Sequence, residues 1–548
     1  MRAGAAAGLL LALAASPAAA AADGTPGRPL AFERRNVFDP SVPGEDWWLF
    51  RFANRIHVMT RESVVEREVL PPLRERWDPS AAIQTERNLR ALPFIRRAEV
   101  WESGIVRTQD SWTLQPQAGF GTEGGDRFIL YGIRERNILG TGKSVSLFHT
   151  ERPSEHRNEL RYGDPRLGGT RERMTVQLAD TSRGDEIGLH LNRPFFALDT
   201  AHANDLLFAR INQEETLYQN AEETTRFDQD FRTLHAAGAV RLPSWDGFVQ
   251  RLSLGARFER SRFAATSETA PGSLPPDRNL SGPVLGYSWV QARFLKEINI
   301  DRMQRVEDFN LGNELTLSGG PLLRSWGSDR DRFAFSAMDQ QGLALGPGRF
   351  VLAQAGLEGR TAGGSPENVL FFANCNLFWK TGWPLPQTWV SHLEYNTSRR
   401  LDRERQLILG GDTGLRGYRN NSFTGGRSLL LNFEDRVFWD RDLLHVIYLG
   451  GVLFLDTGSM AGEGGDFRRL KTDIGAGLRI SPSRSAAGGV LRLDVAYALD
   501  RGPGGARWVV TLLGGQAFSL TGSVNRKALR RPDAVIEEES AASRLLRR

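Results

Sequence analysis

From about Asp110 onward the side chains alternate between apolar and polar, and the pattern persists for roughly 400 residues. Leu252, Leu254, Ala256 and Phe258 interleave with Arg251, Ser253, Gly255 and Arg257. Ile474, Ala476, Leu478 and Ile480 interleave with Gly475, Gly477 and Arg479, and Leu491, Leu493, Val495 and Tyr497 with Arg492, Asp494 and Ala496. Successive residues of a strand point to opposite faces, so a period of two gathers the apolar members on one face. Turn-rich segments separate these strands, among them Thr122-Glu123-Gly124-Gly125-Asp126, Pro271-Gly272-Ser273 and Gly502-Pro503-Gly504-Gly505. Such arrays close either as soluble sandwiches or propellers, or as a membrane barrel, where lipid requires every backbone group to pair. Alternation alone leaves both open.

Residues 1–22 combine Arg2, an apolar stretch from Gly8 to Ala15 and a run of alanines before Asp23, the pattern of a secretory signal peptide. The apolar stretch is too short for a spanning helix, and no other window approaches the roughly 18 to 20 apolar residues such a helix needs. With 58 glycines, 25% charged residues and a mean hydropathy of −0.37, the composition suits a glycine-rich β protein. The single cysteine, Cys375, excludes an intramolecular disulfide framework and is expected as a thiol packed on a strand. The pI is near 9.5, but the formal excess is only +5 and acidic residues are scattered among the basic ones, so no nucleic-acid site is expected.

A polar lead-in, 23–53, contains Trp47, Trp48 and Phe50. A compact unit is expected over 54–112. In it, Asn54 to Met59 has strand character, Thr60 is a candidate N-cap for a helix Arg61 to Leu70, and Asp78 with Pro79 opens a second helix through Ile83, Leu89 and Leu92. Strands near Arg97 to Trp101 and Val106 to Leu114 complete a β-α-α-β-β order. The alternating region, 113–520, allows on the order of 16 strands at roughly 25 residues per strand and connection.

The segment Gly410-Gly411-Asp412-Thr413-Gly414-Leu415-Arg416-Gly417-Tyr418 resembles the Arg-Gly-aromatic signature of the BamA/TamA-type surface-antigen superfamily, which includes the transporters of two-partner secretion. Asn432-Phe433-Glu434-Asp435-Arg436 is similar to that family's Glu-x-Arg strand, and Phe454-Leu455-Asp456-Thr457-Gly458 to its Phe-x-Asp-x-Gly strand. Thr85 to Arg90, Pro93-Phe94-Ile95 and Ala98-Glu99-Val100 resemble one of its periplasmic POTRA domains; Asn137 to Gly142 and Tyr162-Gly163-Asp164-Pro165 resemble its early barrel strands. The resemblance implies a mainly β chain, with one small α+β POTRA domain ahead of a transmembrane antiparallel β-barrel of about 16 strands in the bacterial outer membrane. It also implies insertion or export of polypeptides. The partners would be unfolded or partly folded polypeptides, outer-membrane lipid and periplasmic accessory proteins.

An arginine on a loop folded into a barrel lumen needs a carboxylate partner, because an unpaired charge away from bulk water is costly. Asp456 and Glu434 are the candidates for Arg416, and the family pattern places both on the inner wall. Gly417 would allow close backbone approach and Tyr418 would pack the loop tip, with Leu415 and Gly458 completing the two motifs. Phe518 resembles the near-terminal aromatic by which barrels are recognised for assembly. The charged tail 521–548 is expected as a disordered periplasmic segment, with a short partner-binding helix as the alternative.

Gly140-Thr141-Gly142-Lys143-Ser144 ends like a phosphate loop, but Asn137 stands where the first glycine belongs and Val145 to Phe148 continues as a strand. The eight histidines lack metal-ligand spacing and no G-x-S-x-G elbow occurs. Neither a cofactor nor a catalytic site is expected. A passive solute-conducting pore and a structural surface antigen stand as alternative functions.

Overall fold

The computed structural model describes residues 30–514 and 529–530, apart from 124, 153, 154, 383, 384, 468, 487, 488, 504 and 506. The expected signal peptide 1–22, Phe518 and all of the tail except Leu529 and Arg530 lie outside the described residues.

Among the described residues, twenty antiparallel strands pair in chain order from Leu114–Glu123 to Trp508–Gly514, and the last closes on the first through Leu512 and Thr122. The barrel therefore has 20 strands and not about 16. The allowance of roughly 25 residues per strand was too generous for this chain. Six strands, each 9 or 10 residues long, fit between Leu114 and Arg193 on short turns. The alternation resolves as its period requires. In the nineteenth strand, Leu491–Ala498, the side chains of Leu491, Leu493 and Val495 are exposed on the outer surface, while Arg492 and Asp494 are buried inside.

Two connections are too long to be turns. Residues 292–313 join the tenth and eleventh strands and contain a hairpin, Phe294–Ile298 paired with Val306–Asn310. Residues 400–426 join the fifteenth strand, Gln387–Arg399, to the sixteenth, Arg427–Phe438. Both enter the lumen.

Ahead of the barrel, β1 (Ala31–Arg35), β2 (Ile95–Val100) and β3 (Ile105–Asp110) form a sheet in the order β1-β3-β2, with β1 parallel and β2 antiparallel to β3. Four helices lie between β1 and β2: α1 (Trp48–Ile56), α2 (Glu62–Glu66), α3 (Pro72–Glu75) and α4 (Pro79–Ala91). The expected strand at 54–59 is thus corrected, because Asn54 to Ile56 end a helix and the first strand lies in the lead-in. The run Asn54 to Met59 is too short for its periodicity to separate strand from helix, and the parallel partner of β3 lies about 70 residues upstream in the chain. The helix expected over 61–70 is shorter than that: α2 ends at Glu66, and α3 begins only at Pro72, beyond that span. Thr60 is not its cap; Arg61 is, and Thr60 instead donates from its N–H and hydroxyl to Asp110, at 2.7 and 2.9 Å. The cap of α4 is as read: Asp78 accepts from the N–H groups of Ser80 and Ala81 at 2.8 and 3.2 Å. Val65, Leu89, Phe94 and Val106 fill the core between helices and sheet, and Ala197 from a barrel turn packs against it.

The turns at one rim of the barrel hold this unit. Asn137 donates to Thr60 at 2.8 Å, Arg166 to Glu68 at 2.9 Å, and Arg90 of α4 pairs with Asp308 of the lumen hairpin at 3.0 Å. Arg484 reaches Glu45.

Leu89→Ala is expected to destabilise this unit by about 2–5 kcal/mol, opening residues 31–110 to protease while the barrel keeps its heat-modifiable mobility on gels. Burial pushes the Asp110 carboxyl up to about 6, against the hydrogen bonds from Thr60 that favour the anion. The folded unit then takes up a proton that the unfolded chain has lost, so its stability should fall as pH rises from about 4 to 6 and level off above. Protease susceptibility measured across that range should show the slope, and Asp110→Asn should flatten it.

Candidate functional site

Residues 400–426 cross the lumen and are fastened at both walls. On one side, Arg278 of the tenth strand pairs with Glu404, and Asp402 accepts from Arg360 of the thirteenth at 2.6 Å. Arg405 meets Glu358 at 3.1 Å. The loop then forms a small sheet, Gln406–Leu409 with Phe423–Gly425, and Leu529–Arg530 of the tail pairs along Gln406 and Leu407.

At the far side of the loop sits Arg416, 2% exposed. Its Nε and Nη2 donate to the two carboxylate oxygens of Asp456, each at 2.7 Å, and its Nη1 donates to Glu434 at 2.6 Å. The planar fork of an arginine fits a carboxylate in this two-point manner, which a lysine does not reproduce. The guanidinium also lies over the Phe454 ring at 3.5 Å. Glu434 and Asp456 come from the sixteenth strand and the seventeenth, Ile447–Ala461. Both face inward because their neighbours Phe433 and Leu455 face outward. Arg416, Glu434 and Asp456, singled out from the motifs, are thus brought together inside the barrel.

The pair belongs to a larger buried set that the motifs did not reveal. Asp473 and Arg479 on the eighteenth strand, Lys471–Pro482, and Arg492 and Asp494 on the nineteenth are all buried beside it. Asp494 lies 3.9 Å from Arg416 and accepts from Arg479 and Arg492. Arg436 gives one N–H to the second oxygen of Glu434 at 2.6 Å and another to the Ile300 carbonyl of the lumen hairpin, also at 2.6 Å. Glu434 thus joins two arginines, one holding the loop and one holding the hairpin. A signal existed in the sequence: Arg479, Arg492 and Asp494 occupy the inward phase of strands whose outward phase is aliphatic.

The smaller motif residues seat the loop tip. A side chain at Gly417 would meet Cβ of Asp473 at 2.5 Å, so only glycine lets the backbone lie this close to the wall. Leu415 is fully buried with Leu409 and Leu430, and Gly458 lies against it: a Cβ there would stand 2.9 Å from the Leu429 carbonyl and 3.4 Å from Leu415. Tyr418 is buried, donates to the Thr472 carbonyl at 3.1 Å and meets the edge of Phe423. Asn432 donates to the Gly414 carbonyl at 2.7 Å and to Asp456 at 2.6 Å, a support not anticipated from the sequence.

No protein-family model matches the chain, and no curated protein matches it. Solved structures do. BamA from Haemophilus ducreyi lacking POTRA domains 1–3 is 14% identical, with 89% of this chain and 85% of that chain covered and a TM-score of 0.32. CdiB from Escherichia coli is 11% identical, with 89% and 76% covered and a TM-score of 0.41. The alcaligin outer-membrane receptor FauA from Bordetella pertussis is 10% identical, with 75% and 77% covered and a TM-score of 0.31. Likenesses this weak are matched equally by barrels of different kinds and carry no argument about the site.

Removing one partner of a buried ion pair leaves the other uncompensated, at a cost of roughly 3–5 kcal/mol. Arg416→Ala and Asp456→Ala should each lower the temperature at which the barrel loses its compact mobility. The double variant should lose clearly less than the sum, because both single changes break the same contact. Strict additivity would mean that Arg416 and Asp456 act independently.

Proposed function

We propose that this protein is an outer-membrane barrel that inserts polypeptides into that membrane or passes them across it, with the N-terminal unit acting as a POTRA domain. The observation that carries the proposal is the Arg416 clamp. An ingrowing loop is pinned by its motif arginine to the strands that lead to the closing seam between Trp508–Gly514 and Leu114–Glu123. A clamp there fixes the wall three strands ahead of the seam, where a substrate strand would pair if the first and last strands parted.

The membrane placement is supported by the outer surface. Phe433, Leu453, Leu455, Leu478 and Leu493 are all exposed on consecutive closing strands. So continuous an apolar exterior is unfavourable in water and suits a hydrocarbon layer. Polypeptide as substrate is supported by the N-terminal sheet. β1 and β2 are its edges and, among the described residues, pair only with β3. An extended chain added to such an edge gains main-chain hydrogen bonds without a sequence requirement.

The passive pore is the weaker reading, because two chain segments, 292–313 and 400–426, occupy the lumen and are tied to its walls. Steady open-channel current in planar bilayers, unaffected by protein substrate, would reverse that order.

Comparative proteomics of outer membrane and culture supernatant tests the proposal, with strains that lack the protein, carry Arg416→Ala, or lack residues 31–110. Particular barrel or secreted proteins should disappear in the null and deletion strains and fall several-fold in the Arg416→Ala strain. An unchanged proteome in the null strain would refute it.

A further inference from the structure

The sequence of α1, Trp48-Leu49-Phe50-Arg51-Phe52-Ala53-Asn54-Arg55-Ile56, sorts its side chains into three sectors when wound at about 100° per residue. Trp48, Phe52, Ile56 and Leu49 fall within one arc of roughly 100°, Arg51 and Arg55 flank that arc, and Phe50, Ala53 and Asn54 lie opposite. The structure uses the opposite sector for docking. Phe50 is buried, stacks on Phe38 with ring centroids 4.3 Å apart and meets the edge of His445. Asn54 exchanges two hydrogen bonds with the Phe38 backbone, at 2.8 and 3.1 Å. The apolar arc is left outside: Trp48 is 62% exposed, Phe52 51% and Ile56 54%, with Trp47 and Leu49 beside them.

His445 belongs to the turn 439–446 between the sixteenth and seventeenth strands, on the rim that carries the N-terminal unit. Its neighbour Leu444 is 81% exposed, and Trp439 at the start of the same turn is also exposed. Trp439 shares the outward phase of Phe433, so the barrel's apolar exterior reaches the turn on which Phe50 of α1 docks. Arg51 and Arg55 stand beside the arc, and Asp46 offsets one of them at 3.7 Å. Aromatic residues on one face with arginine at the flank, on a helix only nine residues long, describe an element that lies in a bilayer surface and does not cross it.

We propose that α1 is an interfacial helix whose arc of Trp48, Leu49, Phe52 and Ile56 is embedded in the anionic phospholipid leaflet at the barrel's rim, fixing the N-terminal unit against the membrane. The proposal rests on the membrane reading of the barrel. Phospholipid is favoured over a protein partner by the flanking arginines and by the docking of α1 on a rim turn that the barrel's apolar exterior reaches.

The test uses the full chain with Cys375→Ser, a single fluorescent label, and vesicles of phosphatidylethanolamine and phosphatidylglycerol containing a lipid quencher near the carbonyl region. Labels go on Phe52→Cys, on Leu453→Cys at the barrel exterior and on the exposed Glu102→Cys of the N-terminal unit. Positions 52 and 453 should each be quenched at least twofold and position 102 should not. Quenching at 453 with position 52 fully open to aqueous iodide overturns the interfacial helix and leaves the barrel standing. Failure at 453 removes the membrane reading and the helix with it. Shielding of position 52 that appears only on adding periplasmic extract assigns the face to a protein and overturns the proposal. Replacing phosphatidylglycerol with phosphatidylcholine should halve quenching at 52 and leave 453 unchanged; equal quenching overturns the anionic assignment.

Discussion

The guanidinium of Arg416 is almost wholly shielded from solvent, and the interior of the barrel is arranged around that fact. A buried cation is tolerable only with carboxylates in good geometry and with the remaining donors satisfied. Asp456 supplies the two-point contact, Glu434 a third hydrogen bond and Phe454 a ring face. Each acid then needs its own compensation, which draws Asn432 and Arg436 toward the same place. The result specifies one position of the loop in the lumen more strongly than apolar packing would, since a displaced loop leaves charges unpaired.

Through Glu434 this set also reaches the other end of the barrel. Arg436 binds the Ile300 carbonyl of the lumen hairpin, whose Asp308 is held by Arg90 of α4. The loop, the wall, the hairpin and the N-terminal unit are thereby joined by consecutive short contacts. Ile300, Phe309 and Leu311 of the hairpin region also pack against Phe350 and Phe378 of the wall, so apolar burial supports the polar connection. A continuous contact path is compatible with coupling between the N-terminal unit and the loop; coupling itself requires two arrangements of the elements along it.

The N-terminal unit is seated by several independent contacts. Turns from early strands hold α2 and its flanks through Asn137 and Arg166, the hairpin holds α4, and the late turn carrying Arg484 holds Glu45. The ion pairs among them are largely shielded from solvent. Their spread around the rim limits rocking in any one direction, and α1 adds the contact with His445.

The sequence by itself determined the two-faced strands, because a period of two can place its apolar members only on one face. It also determined the Asp78 cap and the need for a carboxylate beside a buried Arg416, since each rests on a local motif or on an unavoidable charge requirement; Asp456 and Glu434 were candidates that the family resemblance singled out. The strand number was decided by turn length, which alternation does not encode, and the barrel closed with 20 strands. The first strand of the N-terminal sheet, Ala31–Arg35, pairs with Ile105–Gln109, and nothing in five residues announces a partner so distant in the chain. The lumen hairpin, and the meeting of the inward-phase charges beyond Glu434 and Asp456 in one set, came from the tertiary structure. Inward-facing charges on separate strands become neighbours only when closure fixes their register, and it is that register which decides which acid meets which base.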